Sequence, residues 1–478
     1  MLMRYIQALL LFIAMVSAYF SRVNIGVAVV AMTNANTTNP NFPEFKWNER
    51  EISYILSSFY WGFFVTQLPG GVLCRRFGAK LVMGLAIFFS GLLSVITPWC
   101  LNWGGWQSLC VIRVLLGLAQ GMVMPCIFDH LAKWSPLEER NRLGGFSQSG
   151  YDCGMVLAMG LSGVIAESCI GWPGISYISA GLCFVWFLLW QVLGANNPND
   201  SSLISESEKF YITSSNAHED TFNEGTISVP WKAIFTSVPF MALLITRSAE
   251  MWGLTTLESQ IPSYFHGVLN VEIKTNAFFS ALPFMASWLM SYVFMFMADV
   301  LQKRKIVSLT VSRKIFNSVA FWIPALGLIA IGFLDEDNQN MALFLITLSN
   351  AINSGETIGS SLNVIDLSPT HAGLLYSIIN TVASVVALLS PLAVGVIVTD
   401  VHNRYQWQVV FVIAAGIFIV GNLLYIIFGT AETQSWNSDD YLPSDDTDNE
   451  WHSYKSNFSD LETMPSHQPQ VDYQNNKI

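Results

Sequence analysis

Arg113 stands in a strongly apolar run, RVLLGLAQGMVMP (113–125), with Gln120 seven residues on and Gly117 between them. Seven residues make two helical turns, so the three share one helix face. A guanidinium in an apolar helix is expensive to bury and faces a protein interior or a wet cavity, where it suits a carboxylate or phosphate. Two more arginines fit no polar loop. Arg22 interrupts the apolar stretch from Tyr5 to about Met32, two residues before Asn24, and Arg247 lies in LLITRSAEMW with Glu250 three residues on. Arg247 and Glu250 are spaced to neutralise one another on one helix face. Arg22 and Arg113 sit at similar depths, about 8–14 Å below one membrane surface at 1.5 Å per residue. Each is therefore a candidate anion-binding group, and the two bind one anion together if their helices face one cavity, with Asn24 and Gln120 beside them and Ser58 and Thr66 as polar companions. Asp152, Glu250, Glu258 and Glu356 also fall in apolar segments. A carboxylate in an apolar pocket is pushed toward the range in which it exchanges protons, so Asp152, then Glu356, and also Glu250 are candidate coupling sites.

These side chains need a scaffold, and composition specifies its class. Of 478 residues, 52% are hydrophobic and 12% charged, where soluble domains carry about a quarter charged residues. This is a polytopic membrane protein. The net charge of −11 comes mostly from the tail after residue 430, which contributes −8. No basic stripe interleaved with aromatics suggests nucleic-acid binding. Seven cysteines in mainly apolar runs form no metal or disulfide pattern; Cys100 and Cys110, flanking one short loop, could pair on an oxidising side but read first as free helix-end thiols. No hydrolase, nucleotide-binding or kinase motif occurs, so no enzyme activity, metal or prosthetic group is expected.

Twelve apolar segments follow one another, near residues 5–32, 52–73, 80–100, 108–132, 143–166, 173–195, 231–262, 275–300, 314–334, 341–364, 372–398 and 407–430. Each is long enough to cross about 30 Å of hydrocarbon as a helix. The first could pass for a signal peptide, but it continues beyond signal length and reads as a retained span. The polar stretch 196–230 separates two six-helix halves, 1–195 and 231–430, and 431–478 reads as an acidic, disordered tail. With both termini in the cytoplasm, thirteen Lys/Arg fall in inner loops and four in outer ones, a strong positive-inside bias. It also places the acceptor Asn36-Thr37-Thr38 outside, where glycosylation occurs. Basic turns recur after the second and eighth segments, in GGVLCRRFGAK (70–80) and MADVLQKRK (297–305), as in a duplicated transporter.

The stretches SRVNIGVAVVAM (21–32), SSFYWGFFVTQLPGG (57–71), RVLLGLAQGMVMP (113–125), ERNRL (139–143), AESCIGWP (166–173), VSRKIFNSVAFWIPA (311–325), NVIDLSP (363–369) and AETQSWN (431–437) together resemble the major facilitator superfamily. More narrowly, they resemble its anion:cation symporter family, which includes sialin, the vesicular glutamate transporters and the sodium–phosphate cotransporters. The resemblance covers roughly residues 4–437. It implies an all-α, twelve-helix carrier with helices 1, 4, 7 and 10 around a central site that opens alternately to each side. Arg22 and Arg113 match arginines that members keep in helices 1 and 4. Gly71, Arg76, Gly78 and Lys80 keep the superfamily's loop motif in outline. Its acidic position holds Arg75 in the first copy, and Asp299 keeps the acid in the second. Glu139, Arg140 and Arg142 resemble inner-gate charges.

Departures also matter. Gln120 stands where sialin and the glutamate carriers have a helix-4 carboxylate, and a glutamine cannot exchange protons near neutral pH. Leu116 replaces a second sialin acid; Leu56 and Glu250 replace a histidine and an arginine of the glutamate carriers. The expected function is symport of a small organic or inorganic anion with sodium or protons, by a monomer in a plasma or vesicle membrane. An anion sensor without turnover and an uncoupled uniporter or channel are the alternatives.

Overall fold

The computed structural model describes residues 2–33, 39–216, 229–267, 276–334, 338–400 and 402–437, and among them it is all-helical. The first half comprises α1 (Met3–Thr33), α2 (Glu49–Phe77), α3 (Ala79–Gln120), α4 (Val123–Trp134), α5 (Arg140–Gln148), α6 (Gly150–Glu167) and α7 (Gly171–Leu193). Two short helices, α8 (Glu206–Asn216) and α9 (Trp231–Thr236), precede the second half. That half holds α10 (Val238–Gly267), α11 (Asn276–Lys303), α12 (Leu309–Gly332), α13 (Gln339–Asn353), α14 (Asn363–Leu367), α15 (Ala372–Ile397) and α16 (Arg404–Phe428).

These elements make twelve passes, because α3 holds the third and, continued by α4, the fourth, while α5–α6 and α13–α14 form one each. Gly105, at φ 61° and ψ −153°, turns the corner within α3 in a conformation that favours glycine. Among the described residues, eight stretches are apolar and long enough to span on composition alone. The passes α2, α10 and α13–α14 are not among them, and the last two carry Arg247, Glu250 and Glu356. Helix starts are fixed locally. Asn48 and Glu51 form a reciprocal capping box at α2, and the Ser308 hydroxyl accepts from the Val311 amide at α12, satisfying amides that lack helical partners.

Within a half, close approach is bought by missing side chains. A Cβ on Gly62 would lie 2.0 Å from the Val114 carbonyl, and one on Gly117 2.0 Å from the Phe59 carbonyl. The glycines thus set the α2–α3 contact, as small residues do where water supplies no driving force. Between halves, α15 packs on α2 and α4, and α11 packs on α5 and α6. Phe128 of α4 stacks on Tyr376 of α15 with ring centroids 3.8 Å apart. The start of α1, the end of α16 and the basic turns share one face, here the basic face.

Three details differ from the sequence reading. The fifth and ninth passes begin at Arg140 and Leu309 rather than at 143 and 314, so Arg140 and Arg313, counted as loop cations, are helical and buried. From the sequence, His371 at the start of the eleventh segment reads as a solvated helix-end residue, but it is 2% exposed beside Trp436. The segment expected to be wholly disordered after residue 430 begins with a docked strap, Ala431–Asn437. Asn437 Oδ1 accepts from Ser368 Oγ (2.7 Å) and the Thr370 amide (3.1 Å), and Gln434 N donates to the Leu367 carbonyl at 2.9 Å. Asn36 and the tail beyond Asn437 lie outside the described residues.

Candidate functional site: a cavity between the halves

A cavity of about 700 Å3 lies between the halves midway along the helices. Met124, Gly145, Met295, Ile358 and Tyr376 form its floor on the basic side, and it runs past Leu388 and Leu392 toward the opposite face. The two walls differ. The first half presents Arg22 among Tyr19, Tyr60, Phe63 and Phe64. The second presents neutral hydroxyls and amides, among them Ser287, Ser291, Asn353, Asn380 and Ser384, around Arg247, Glu250 and Glu356.

On the first wall, the Arg22 guanidinium is caged by rings: Phe63 at 4.5 Å, Phe59 at 4.8 Å, Tyr60 at 5.1 Å and Tyr19 at 5.2 Å from its central carbon. Arg113 stands directly behind. Its Nη1 donates to the Arg22 carbonyl at 3.0 Å, its guanidinium lies 5.0 Å from the Phe59 ring, and its Nε–H has no partner. Neither arginine makes an ion pair among the described residues. A ring face contributes about 0.5–2 kcal/mol to a cation, whereas burying an ion costs several. The rings orient the two cations and leave positive potential uncompensated at the wall.

On the second wall the balance is reversed. Arg247 Nη1 donates to Glu250, one helical turn away, and also to Glu356 Oε1 at 2.7 Å. Ser360 Oγ donates to that same Glu356 oxygen at 2.8 Å. Glu356 immediately precedes a π turn, Thr357–Ser361, a feature often found at functional sites. The turn leaves the Ile358 carbonyl to Arg313 Nη1 at 2.5 Å. Asp152 of α6 also lines the cavity and is buried.

Below the floor, a polar network joins the halves. Asp366 of α14 accepts from Arg140 of the first half (3.0 Å) and from Arg313 of its own half (2.8 Å). Arg313 Nη1 also donates to Asn141 Oδ1 (2.7 Å), and Asn141 donates to Gln302 (2.6 Å). The Arg140, Arg313 and Asp366 side chains are 1–2% exposed. Glu139 turns away from this network to Arg4 (2.6 Å) and Arg142 (2.9 Å), within the first half. In the loop motif, Gly71 packs on Ser377 and Gly373 of α15. Gly78 adopts φ 83° under the side chain of Asn196, which accepts from Lys80 N at 2.8 Å. Arg76 is exposed over Phe77, and Asp299 pairs locally with Lys303 at 3.2 Å.

The anion-binding residues named from the sequence thus separate. Arg22 lines the cavity, while Arg113 backs it. Asn24 donates to Ser179 Oγ (2.6 Å) and Gln120 to Ser21 Oγ (2.8 Å), both behind the wall. Ser58 and Thr66 bond to carbonyls of their own helix. The three coupling candidates, Asp152, Glu250 and Glu356, all line the cavity. Sequence reasoning missed the Arg313–Asp366 pair, although VSRKIFN and NVIDLSP each carry a charge in an apolar setting that could have found it. It also missed the hydroxyl and amide wall, whose residues show no distinguishing spacing.

A model of the Major Facilitator Superfamily matches residues 11–355. Similar proteins include a Drosophila ananassae protein described as "Putative inorganic phosphate cotransporter", 35% identical over 91% of this chain and 94% of that protein. Human sialin is 31% identical over 92% of this chain and 91% of its own length. Vesicular glutamate transporter 3 of Danio rerio is 33% identical, covering 91% and 74%. Among solved structures, the proton:xylose symporter XylE superposes with a TM-score of 0.66 at 13% identity, over 89% of this chain and 96% of that one. At that identity the likeness speaks for the fold alone.

Proposed function

The chain belongs to the major facilitator superfamily, and from that premise we propose that it is a secondary active symporter of a small organic anion. The anionic group docks on Arg22, and the neutral, polar body of the solute lies against the hydroxyls and amides of the second half. The observation that carries this reading is the Arg22 guanidinium, which lines the cavity without an acidic partner among the described residues. Arg113 positions it through the Arg22 carbonyl and adds to the potential without touching the solute. The cavity volume falls within the range of about 300–1,000 Å3 usual for small-molecule sites. It exceeds what a bare phosphate fills, so an organic anion suits it better.

In this reading the basic face is cytoplasmic, following the distribution of Lys and Arg, and Asn36 lies outside. The Arg140–Asp366–Arg313 network then acts as the inner gate. Its breaking and re-forming, with opposed tilting of the halves, exposes the cavity to each side in turn. Transport is coupled to an ion gradient and the carrier works as a monomer. The relatives' printed names, which refer to phosphate, sialin and glutamate, suit an anionic solute without choosing among them.

The test is uptake into proteoliposomes of labelled phosphate, sialate, glucuronate, glutamate, aspartate and urate, each under a sodium gradient, a proton gradient or neither. Gradient-driven accumulation of one anion is expected, and Arg22→Ala abolishes it. Flux that ignores both gradients makes the protein a uniporter or channel. Saturable binding without accumulation makes it a sensor.

A further inference from the structure

Among the described residues, the charges around the cavity are balanced before any solute enters: Arg22, Arg113 and Arg247 supply three cations, and Asp152, Glu250 and Glu356 supply three anions. The balance is uneven in space: Arg22 on the first wall and Arg113 behind it have no acidic partner among the described residues, and on the second wall two carboxylates share one guanidinium. An anion added alone would leave a net negative charge in a site of low dielectric, where uncompensated charge is severely disfavoured. Neutrality returns if a cation enters with it.

The carboxylate pair is where a cation meets the most negative charge. Glu250 and Glu356 contact the same Arg247 nitrogen, Nη1, and are 3% and 5% exposed. The Arg247 Nε–H is buried and has no hydrogen-bond partner. This guanidinium is crowded on one nitrogen and unsatisfied at another, while lining the cavity. We propose that, as the anion binds, the Glu250/Glu356 pair takes up one proton from the solution filling the cavity, and that this frees Arg247 as a second anion-binding guanidinium. The proton becomes a carboxylic-acid O–H, one contact to Nη1 breaks, and the solute's oxygens take the freed N–H donors. On the other side of the membrane the proton returns to bulk water as the carboxylate re-forms. The solute is then held between Arg22 of one half and Arg247 of the other, so the same event links proton uptake to closure.

Among the described residues, the titratable groups facing this cluster are Asp152 of α6, Tyr376 of α15, which faces Arg247 and both glutamates, Tyr19 of α1 beyond Tyr376, and Tyr425 of α16, which faces Glu356 and the Arg313–Asp366 pair. Serine and asparagine complete the surround from α11 and α13.

This inference rests on the symport reading, and its test is arranged to fail separately. The first arm uses no solute: infrared difference spectra of the purified full-length protein between neutral and mildly acidic buffer. A buried carboxylic-acid C=O band is expected in the wild type and in Asp152→Asn. It is lost in both Glu250→Gln and Glu356→Gln, because a one-to-one ion pair has no surplus charge to protonate. A band that survives both substitutions, or that vanishes with Asp152→Asn alone, overturns the assignment. The second arm uses proteoliposomes with labelled glucuronate, or whichever panel anion the wild type accumulates. Glu356→Gln should lose all stimulation of uptake by an inward proton gradient, whereas Lys303→Ala, outside the cavity, should keep it. Stimulation by sodium at constant pH, unchanged in Glu356→Gln, overturns the proton in favour of sodium. Uptake unaffected in Arg22→Ala, with the infrared result intact, sinks the Arg22 reading and leaves the proton site standing.

Discussion

At the residue scale, guanidinium partners separate the roles of the buried arginines. Arg313 and Arg140 share Asp366 and belong to structure and gating; Arg247 carries two acids; Arg22 and Arg113 have none among the described residues. Removing one member of a buried pair leaves the other charge uncompensated, which costs about 3–5 kcal/mol. Asp366→Asn strands two guanidiniums and is expected to lower the melting temperature in detergent well below that of Lys303→Ala, an exposed residue whose local pair with Asp299 adds little. Equal melting temperatures would show that Asp366 is not the hub. Arg113→Lys keeps the charge but cannot reproduce the geometry to the Arg22 carbonyl. About a tenfold weaker apparent affinity for the transported anion is expected, at a cost near 1.5 kcal/mol. An unchanged KM would remove Arg113 from the positioning of Arg22.

At the element scale, the crossing of α2 and α3 depends on backbone against backbone. Gly117→Ala forces a methyl to within 2.0 Å of the Phe59 carbonyl, so the helices must part. Phe59 is one of the rings around Arg22 and Arg113, and the same shift loosens the arginine cage. Gly117→Ala should therefore lower both thermal stability and anion affinity, whereas Gly160→Ala, with open space around its Cβ, should change neither. The strap after α16 is a second element-scale feature. Trp436 is 4% exposed and Thr433 Oγ1 donates to the Asp366 carbonyl at 3.2 Å. Trp436→Ala empties an aromatic-sized volume worth about 3–5 kcal/mol, so melting should fall more than in a chain truncated after Asn437. If truncation there were the more damaging change, stability would lie in the acidic tail.

At the scale of the whole molecule, the halves meet below the cavity through Arg140–Asp366, Asn141–Arg313 and the Phe128–Tyr376 stack. Removing a cross-half ion pair shifts the equilibrium between the two openings by the differential free energy of that contact. In a background without native cysteines, Met124→Cys on the cavity floor should resist an impermeant thiol reagent applied from the basic face. Adding Arg140→Ala should make it reactive. Reactivity that is equal with and without Arg140 would mean that this pair does not close the path.

The sequence by itself determined the membrane class and the twelve passes, and it set Arg22, Arg113 and Arg247 apart from the loop cations while leaving the buried Arg140 and Arg313 among them. Each follows from a local quantity: twenty apolar residues match a bilayer, and a charge inside such a run must have a protein or water-lined reason. It also picked out Asp152, Glu250 and Glu356, which do face the cavity. It could not tell the guanidinium that lines the wall from the one behind it, because Arg22 and Arg113 have similar depths and differ only in how α1 and α3 are rotated about their axes. Nor could it see that Glu250 and Glu356, more than a hundred residues apart, share one nitrogen of Arg247, or that Arg140 reaches Asp366 across the molecule. Those pairings depend on which helices become neighbours. Only the tertiary packing decides that, since the energy of a buried charge is set by the partner within a few ångströms and not by its place in the chain.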